Sequence, residues 1–215
     1  MKRILVLSPH PDDESIGCGG TLLRHTKQGD AVHVVFLTSG EKGGHGRSEA
    51  ATIRVREQEA RNATRILGAQ RAEFWREPDG ALRATCAAVD RLRQKLIEFR
   101  PDTIYVTHDR EMHPDHRGAV RLLESSLQAV SRRGHAKAWT PTVLGYEVWT
   151  PIQQLDEIVD ISAFMQKKLR AVRAYRSQCA VVGFVSAVRG LNRYRGEMHS
   201  WPGGDYAEVF TRLTV

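Results

Sequence analysis

The chain has 215 residues, 41% hydrophobic and 27% charged, with 32 Lys and Arg against 25 Asp and Glu, a net charge of +7. That length and balance suit one globular domain, and no apolar run reaches the ~20 residues a membrane-spanning helix needs. The positive charge comes without the aromatic interleaving or motif of a nucleic-acid reader, so nucleic acid is excluded as a partner.

In chain order, Met1-Lys2-Arg3 and the apolar run Ile4 to Leu7 have the outline of a signal peptide, but Pro9, His10 and two aspartates cut the run short. It therefore predicts a first β-strand, Arg3–Ser8, in a cytoplasmic protein. Thr21–Gln28 predicts a helix, and Ala31–Thr38 a second buried strand. A long helix follows over Ala50–Leu67, stopped by Gly68. Val89, Leu92, Leu96 and Phe99 recur at helical spacing, as do Val120, Leu123, Leu127 and Val130, with a third strand, Thr103–Thr107, between the two sets. Val143–Glu147, Glu157–Ile161 and Ala207–Leu213 predict later strands. From Ile161 to Ser200 there are eight Lys or Arg and one acid, Glu197, which reads as a solvated helix face and loop. The sharper alternative is a basic rim for a phosphorylated substrate or for peripheral contact with an anionic membrane.

The βαβα order predicts an α/β fold: a single Rossmann-like three-layer domain over residues 1–215, with a mostly parallel sheet. There is no repeat or linker. Ligands in such folds sit beyond the carboxyl ends of the strands. Cys18, Cys86 and Cys179 are odd in number and far apart, which fits reduced thiols.

Two loops at strand ends carry the chemistry. Ser8-Pro9-His10-Pro11-Asp12-Asp13-Glu14 follows the first strand, and His113-Pro114-Asp115-His116 follows the strand at Thr103–Thr107. Histidines and carboxylates are costly to bury without partners. Two imidazoles and a carboxylate, with a fourth position for water, is a common catalytic zinc arrangement. The plainer alternative is turn punctuation, with Asp12 or Asp115 capping backbone amides. Two such clusters, each after a strand of one sheet, favour chemistry.

The pair HPDDE and HPDH resembles the PIG-L/LmbE family of zinc N-deacetylases. The resemblance extends to Gly19-Gly20-Thr21, Thr38-Ser39-Gly40-Glu41, Arg56 with Glu59, Pro78-Asp79-Gly80 and Ala207-Glu208. It implies His10, Asp13 and His116 as ligands of Zn2+, although Fe2+ or Co2+ would accept the same donors. It implies Asp12 as general base, His113 facing the developing oxyanion with Asp115 orienting it, and Arg56 and Asp79 touching the sugar. Glu14 supports the loop. Where the mycothiol branch has a tyrosine two residues before HPDH, this chain has Glu111.

The implied function is removal of the N-acetyl group from an N-acetylglucosamine-containing small molecule or glycoconjugate. An amidase acting on a sugar–thiol conjugate is the alternative by mechanism, and a non-catalytic sugar- or nucleotide-binding domain is the alternative by class. A Rossmann dehydrogenase is excluded, because the first βα turn lacks GxGxxG. Of the other histidines, His45 lies in the Gly43–Gly46 run that reads as a loop over the site, His108 reads as a supporting or turn residue, and His135 has no functional context. Met198-His199 with Trp201 reads as packing near the C-terminus. Oligomeric state is not written in the sequence.

Overall fold

The first strand, β1 (Arg3–Ser8), is apolar on both faces and buried from Ile4 to Ser8. The computed structural model, which describes residues 1–132, 139–199 and 204–214, places β1 third in a seven-stranded sheet of order β3-β2-β1-β4-β5-β7-β6. The strands are β2 (Ala31–Thr38), β3 (Arg71–Glu77), β4 (Thr103–Thr107), β5 (Thr142–Tyr146), β6 (Glu157–Asp160) and β7 (Ala207–Arg212). The first five pair in parallel, and β7 pairs antiparallel with both β5 and β6. His135 and Trp201 lie outside the described residues.

Side-chain alternation divides each central strand between two helix layers. Ile4 and Val6 of β1 join one apolar cluster with Leu22, Leu67 and Ala171, from α2 (Gly19–Lys27), α3 (Glu49–Leu67) and α6 (Met165–Ala174). Leu5 and Leu7 point the other way, into a cluster with Leu92, Leu96 and Leu123 of α4 (Cys86–Phe99) and α5 (Pro114–Arg132). Ser48 caps α3, its hydroxyl accepting from the Ala51 amide at 3.3 Å, and Gly68 at φ 79° ends it in the left-handed conformation.

Boundaries differ from the sequence reading by a residue or two, but β3 was not foreseen. Its sequence, RAEFWRE, is charged because it lies at the sheet edge, where only Trp75 is buried. The basic stretch after Ile161 is the larger correction. It forms α6, α7 (Arg176–Cys179) and α8 (Phe184–His199), and two of its cations are buried rather than solvated. Arg195 forks onto Glu147 at 2.7 and 3.1 Å. Lys168 is fully buried, with its Nζ 2.7 Å from both Glu208 Oε1 and Asn192 Oδ1. Glu208 also accepts the amides of Gly20 and Thr21 at 2.7 Å, capping the start of α2 from the sheet. One ion pair thus joins β7, α2, α6 and α8.

Removing one partner of such a pair strands the other charge, which typically costs ~3–5 kcal/mol. Lys168→Met is expected to lower the unfolding free energy in urea by about that amount, whereas Lys167→Met changes it by under ~0.5 kcal/mol.

Candidate metal and catalytic site

The pairing of β1 with β4, in register from Ile4↔Thr103, makes the HPDD and HPDH loops neighbours at one edge of the sheet. Both leave the strands' carboxyl ends, at the point where strand order reverses. His10 Nδ1, Asp13 Oδ2 and His116 Nε2 form a triangle there. The edges are 3.2 Å from His10 to Asp13, 3.2 Å from His116 to Asp13, and 3.3 Å between the histidines. Ligands ~2.0–2.2 Å from a tetrahedral metal stand about 3.3–3.5 Å apart, so the donor set fits one ion.

Each imidazole is backed by carboxylates on its other nitrogen. His10 Nε2 lies 3.1 Å from Asp115 Oδ2 and 3.2 Å from Asp79 Oδ1. His116 Nδ1 faces Glu111 Oε2 at 3.7 Å, and neither atom has a hydrogen bond. On His10 such a carboxylate contact fixes the tautomer and raises the basicity of the other nitrogen. His10, His113 and His116 are together close enough to hold a cation, and so is a second triad, His10, Asp79 and Asp115. Its carboxylates are already engaged: Asp115 takes the amides of Gly80 (2.6 Å) and Leu82 (3.0 Å), and Asp79 takes that of Lys42 (2.9 Å). Those two acids stand behind His10 on its second ring nitrogen.

The acids set the local field. Burial disfavours a charged imidazole, yet hydrogen bonds to Asp115, Asp13 and Asp79 push His10 well above its ordinary pKa. Burial also opposes charge on His116, but the nearby Asp13 charge raises it to about 9. A site that draws protons onto two histidines is a site that favours a cation. For Asp12, burial raises the carboxyl to about 7 against the pull of Arg56.

Asp12 adjoins a triangle member but points elsewhere. Its φ of 137° is left-handed backbone, a conformation that costs a non-glycine residue of order 1–3 kcal/mol. Its side chain makes no helix-cap bond, which removes the capping alternative for this residue. Glu14 is fully buried, with Oε1 accepting from Tyr175 and Ser15 hydroxyls at 2.6 Å and Oε2 3.3 Å from the Asp12 amide. It braces the loop.

Three of the predicted residues have partners within the protein. The Asp115 carboxylate lies on His10, and it is the Asp115 amide that engages His113, donating to Nδ1 at 3.2 Å. Arg56 is not a free fork for a sugar: it is buried, donating to the carbonyls of Gly40 (2.9 Å) and Pro11 (2.8 Å) and to Asp12 Oδ2 (3.1 Å). Gly40, at φ 62°, admits it, since a Cβ there would lie 2.0 Å from Arg56 Nη1. Asp79, expected on the sugar, ties His10 to the Lys42 amide. His113 stands against both His10 and His116, its ring centroid 4.7 Å from that of His10 and 4.9 Å from that of His116. His108 serves the turn, its Nδ1 accepting the Arg110 amide while Nε2 reaches the Thr150 carbonyl at 2.8 Å. His45 is exposed.

Glu111 is the residue whose role the sequence left blank. Its Oε1 gathers three successive amides, Val148 (2.7 Å), Trp149 (2.8 Å) and Thr150 (3.2 Å), while Oε2 stands behind His116. An acid two residues before HPDH was the available signal. Its partners lie nearly forty residues away and are set only by the fold.

A Rossmann-like sheet with a His–Asp–His donor set and a second buried carboxylate, Asp12, beside it defines a metallohydrolase type of site. The chain belongs to the GlcNAc-PI de-N-acetylase (PIG-L) family, whose model matches residues 5–126. It is 31% identical over 192 residues to the diacetylchitobiose deacetylase of Thermococcus kodakarensis, covering 83% of this chain and 70% of that protein. A conserved protein of Thermus thermophilus superposes with a TM-score of 0.84 at 33% identity, covering 100% of this chain and 98% of that one. The 4-carboxy-2-hydroxymuconate hydratase of Pseudomonas putida superposes at 0.85 with 26% identity, over 100% and 97% of the two chains.

Glu111→Gln keeps an oxygen for the three amides but removes the charge behind His116. Zinc affinity, read by chelator competition, is expected to fall ~10–100-fold. Unchanged affinity would leave Glu111 as a cap for the 148–150 loop alone.

Proposed function

We propose that this protein is a zinc-dependent N-deacetylase that hydrolyses the acetamide of an N-acetylglucosamine-containing small molecule or glycoconjugate. The reading is carried by the triangle of His10 Nδ1, Asp13 Oδ2 and His116 Nε2, with the Asp12 carboxylate, held by Arg56, on the same loop. The similarity to a diacetylchitobiose deacetylase supports it. His10, Asp13 and His116 would hold the metal, which when bound supplies a Lewis acid for the acetyl carbonyl and makes water more acidic.

The chain's own groups do the rest. Asp12, held by Arg56, takes the proton of the attacking water and delivers it to the nitrogen as the C–N bond breaks, giving acetate and a free amine. His113, whose Nδ1 is occupied by the Asp115 amide, offers Nε2 to the oxyanion. Arg56 acts on the substrate through Asp12, fixing the carboxylate and countering the neighbouring acids. The three cysteines are unpaired, and the reading includes a reducing cytoplasm.

The likeness to a hydratase raises a second chemistry, addition of water to a polycarboxylate. Such a substrate calls for free cations. At this site the buried guanidinium of Arg56 is bound to Asp12, and Asp13, Asp79, Asp115 and Glu111 surround the histidines. That balance favours a neutral amide.

Acetate release from a panel of N-acetylglucosamine conjugates tests the reading. Activity should vanish with a chelator and return with zinc. Hydration of an unsaturated polycarboxylate without any amide cleavage would replace the proposal. Asp12→Asn is expected to bind zinc within about twofold of wild type while losing ~10²–10⁴ in kcat. Equal loss of zinc and turnover would make Asp12 a ligand instead.

Arg56→Ala should lower kcat roughly tenfold or more with little change in KM, because it frees the base rather than removing a substrate contact. Arg56→Lys, which keeps the charge, should recover part of the loss, and Arg54→Ala should match wild type. A rise in KM alone would return Arg56 to the sugar.

A further inference from the structure

Lys168 and Arg195 turn inward to acids, but four other cations of the stretch after Ile161 stand exposed on the outside of the helix layer. Between α3 and α6 lies a groove of ≈ 750 Å³, within the ~300–1,000 Å³ typical of ligand sites. Arg170 and Arg173 of α6 and Arg176 of α7 line one side, and Arg54 of α3 lines the other. The half-buried Val55 and Ile66 add apolar surface. Arg173 also borders a second groove, between α6 and α8, where Arg189 stands.

These five guanidiniums have no ion pair or hydrogen bond among the described residues. Other exposed arginines of the chain do: Arg61, Arg76 and Arg212 each lie within 3.3 Å of a carboxylate. Glu59, the acid among the groove's lining residues, gives its oxygens to the amide and hydroxyl of Ser177, at 2.8 and 2.6 Å. Four cations against one committed acid leave the groove positive, and a concave basic surface concentrates anions. The groove is separate from the catalytic centre. Arg54 and Arg56 are two residues apart, so they leave α3 on opposite sides. Arg56 grips the loop before α1 (Asp13–Gly17), while Arg54 opens to the groove.

A guanidinium is a planar fork that matches the oxygens of a phosphate two at a time. Arg170 and Arg173, three residues apart, share one face of α6 and stand ~4.5 Å apart along its axis. That spacing sets one fork on each of two neighbouring phosphates, with Arg54 closing the other side. A carboxylate or a single phosphate engages only part of the set. We propose that the α3–α6 groove is a second binding site, apart from the catalytic centre, for a small molecule bearing two adjacent phosphates. Inorganic diphosphate and the diphosphate of a nucleotide share this chemistry, and Val55 and Ile66 offer surface that only the nucleotide uses.

Calorimetric titration of the full chain with pyrophosphate, ADP and inorganic phosphate tests the proposal. Pyrophosphate and ADP should each bind at one equivalent, at least tenfold tighter than inorganic phosphate, because a second charged contact forms. Tighter binding of ADP than of pyrophosphate assigns the groove to an organic diphosphate, and equal binding assigns it to the inorganic ion. The double variant Arg170→Ala/Arg173→Ala should weaken both at least tenfold, and Arg54→Ala severalfold. All three side chains are exposed, so the variants should fold. Arg121→Ala, at an exposed arginine of α5 in the opposite layer, should bind like wild type. A metal at the catalytic site would also take pyrophosphate, so binding that survives intact in the double variant belongs there and overturns the proposal. Affinity for pyrophosphate no better than for inorganic phosphate would overturn it too. So would adsorption to phosphatidylserine vesicles without saturable binding of either diphosphate.

Discussion

Because β1 and β4 run parallel and adjacent in the middle of the sheet, two loops separated by about a hundred residues leave the fold at the same place. Everything chemical in this protein depends on that pairing. His10 and Asp13 come from one loop and His116 from the other, and their donor atoms meet within 3.3 Å. The two helix layers hold the strands from both sides, through Ile4 and Val6 on one face and Leu5 and Leu7 on the other. A shift of one residue in β1 would exchange those faces and turn the loop away from β4.

The loop after β1 is held under strain, and the surroundings explain how. Asp12 at φ 137° is kept in place by its carbonyl, which accepts the amides of Ser15 and Ile16 at 3.0 Å, and by Arg56 on the Pro11 carbonyl and the Asp12 carboxylate. The conformation separates two consecutive aspartates by role: Asp13 turns to the histidines and Asp12 turns to the guanidinium. Glu14, buried under Tyr175 and Ser15, completes the brace. A surplus of acids around two imidazoles would be costly in a dry core. It is balanced if a divalent cation occupies the triangle, and the chain alone already answers the same field by drawing protons to His10 and His116.

The two residues that resemblance assigns to the sugar, Arg56 and Asp79, have partners within the protein, as do Asp115 and Glu111. Arg56 grips the loop, Asp79 and Asp115 stand behind His10, and Glu111 links His116 to the 148–150 amides. The outer polar network is thus larger than the set of groups able to meet a substrate.

The sequence by itself determined the α/β class, most of the strands and helices, and the two loops that carry the chemistry. Those features are local: apolar runs of strand length, helical spacing, and His-Pro-Asp strings at strand ends. It did not reveal β3, whose charged residues fit an edge position that only the sheet order defines. It read Lys168 and Arg195 as solvated, because a cation's burial depends on an acid distant in sequence, here Glu208 and Glu147. The tertiary structure alone decided that Arg56 meets Asp12, that Asp115 turns to His10, and that Glu111 stands behind His116. Each of those contacts joins residues brought together by strand order and helix packing, and the partner of a buried charge is chosen by that geometry rather than by its neighbours along the chain.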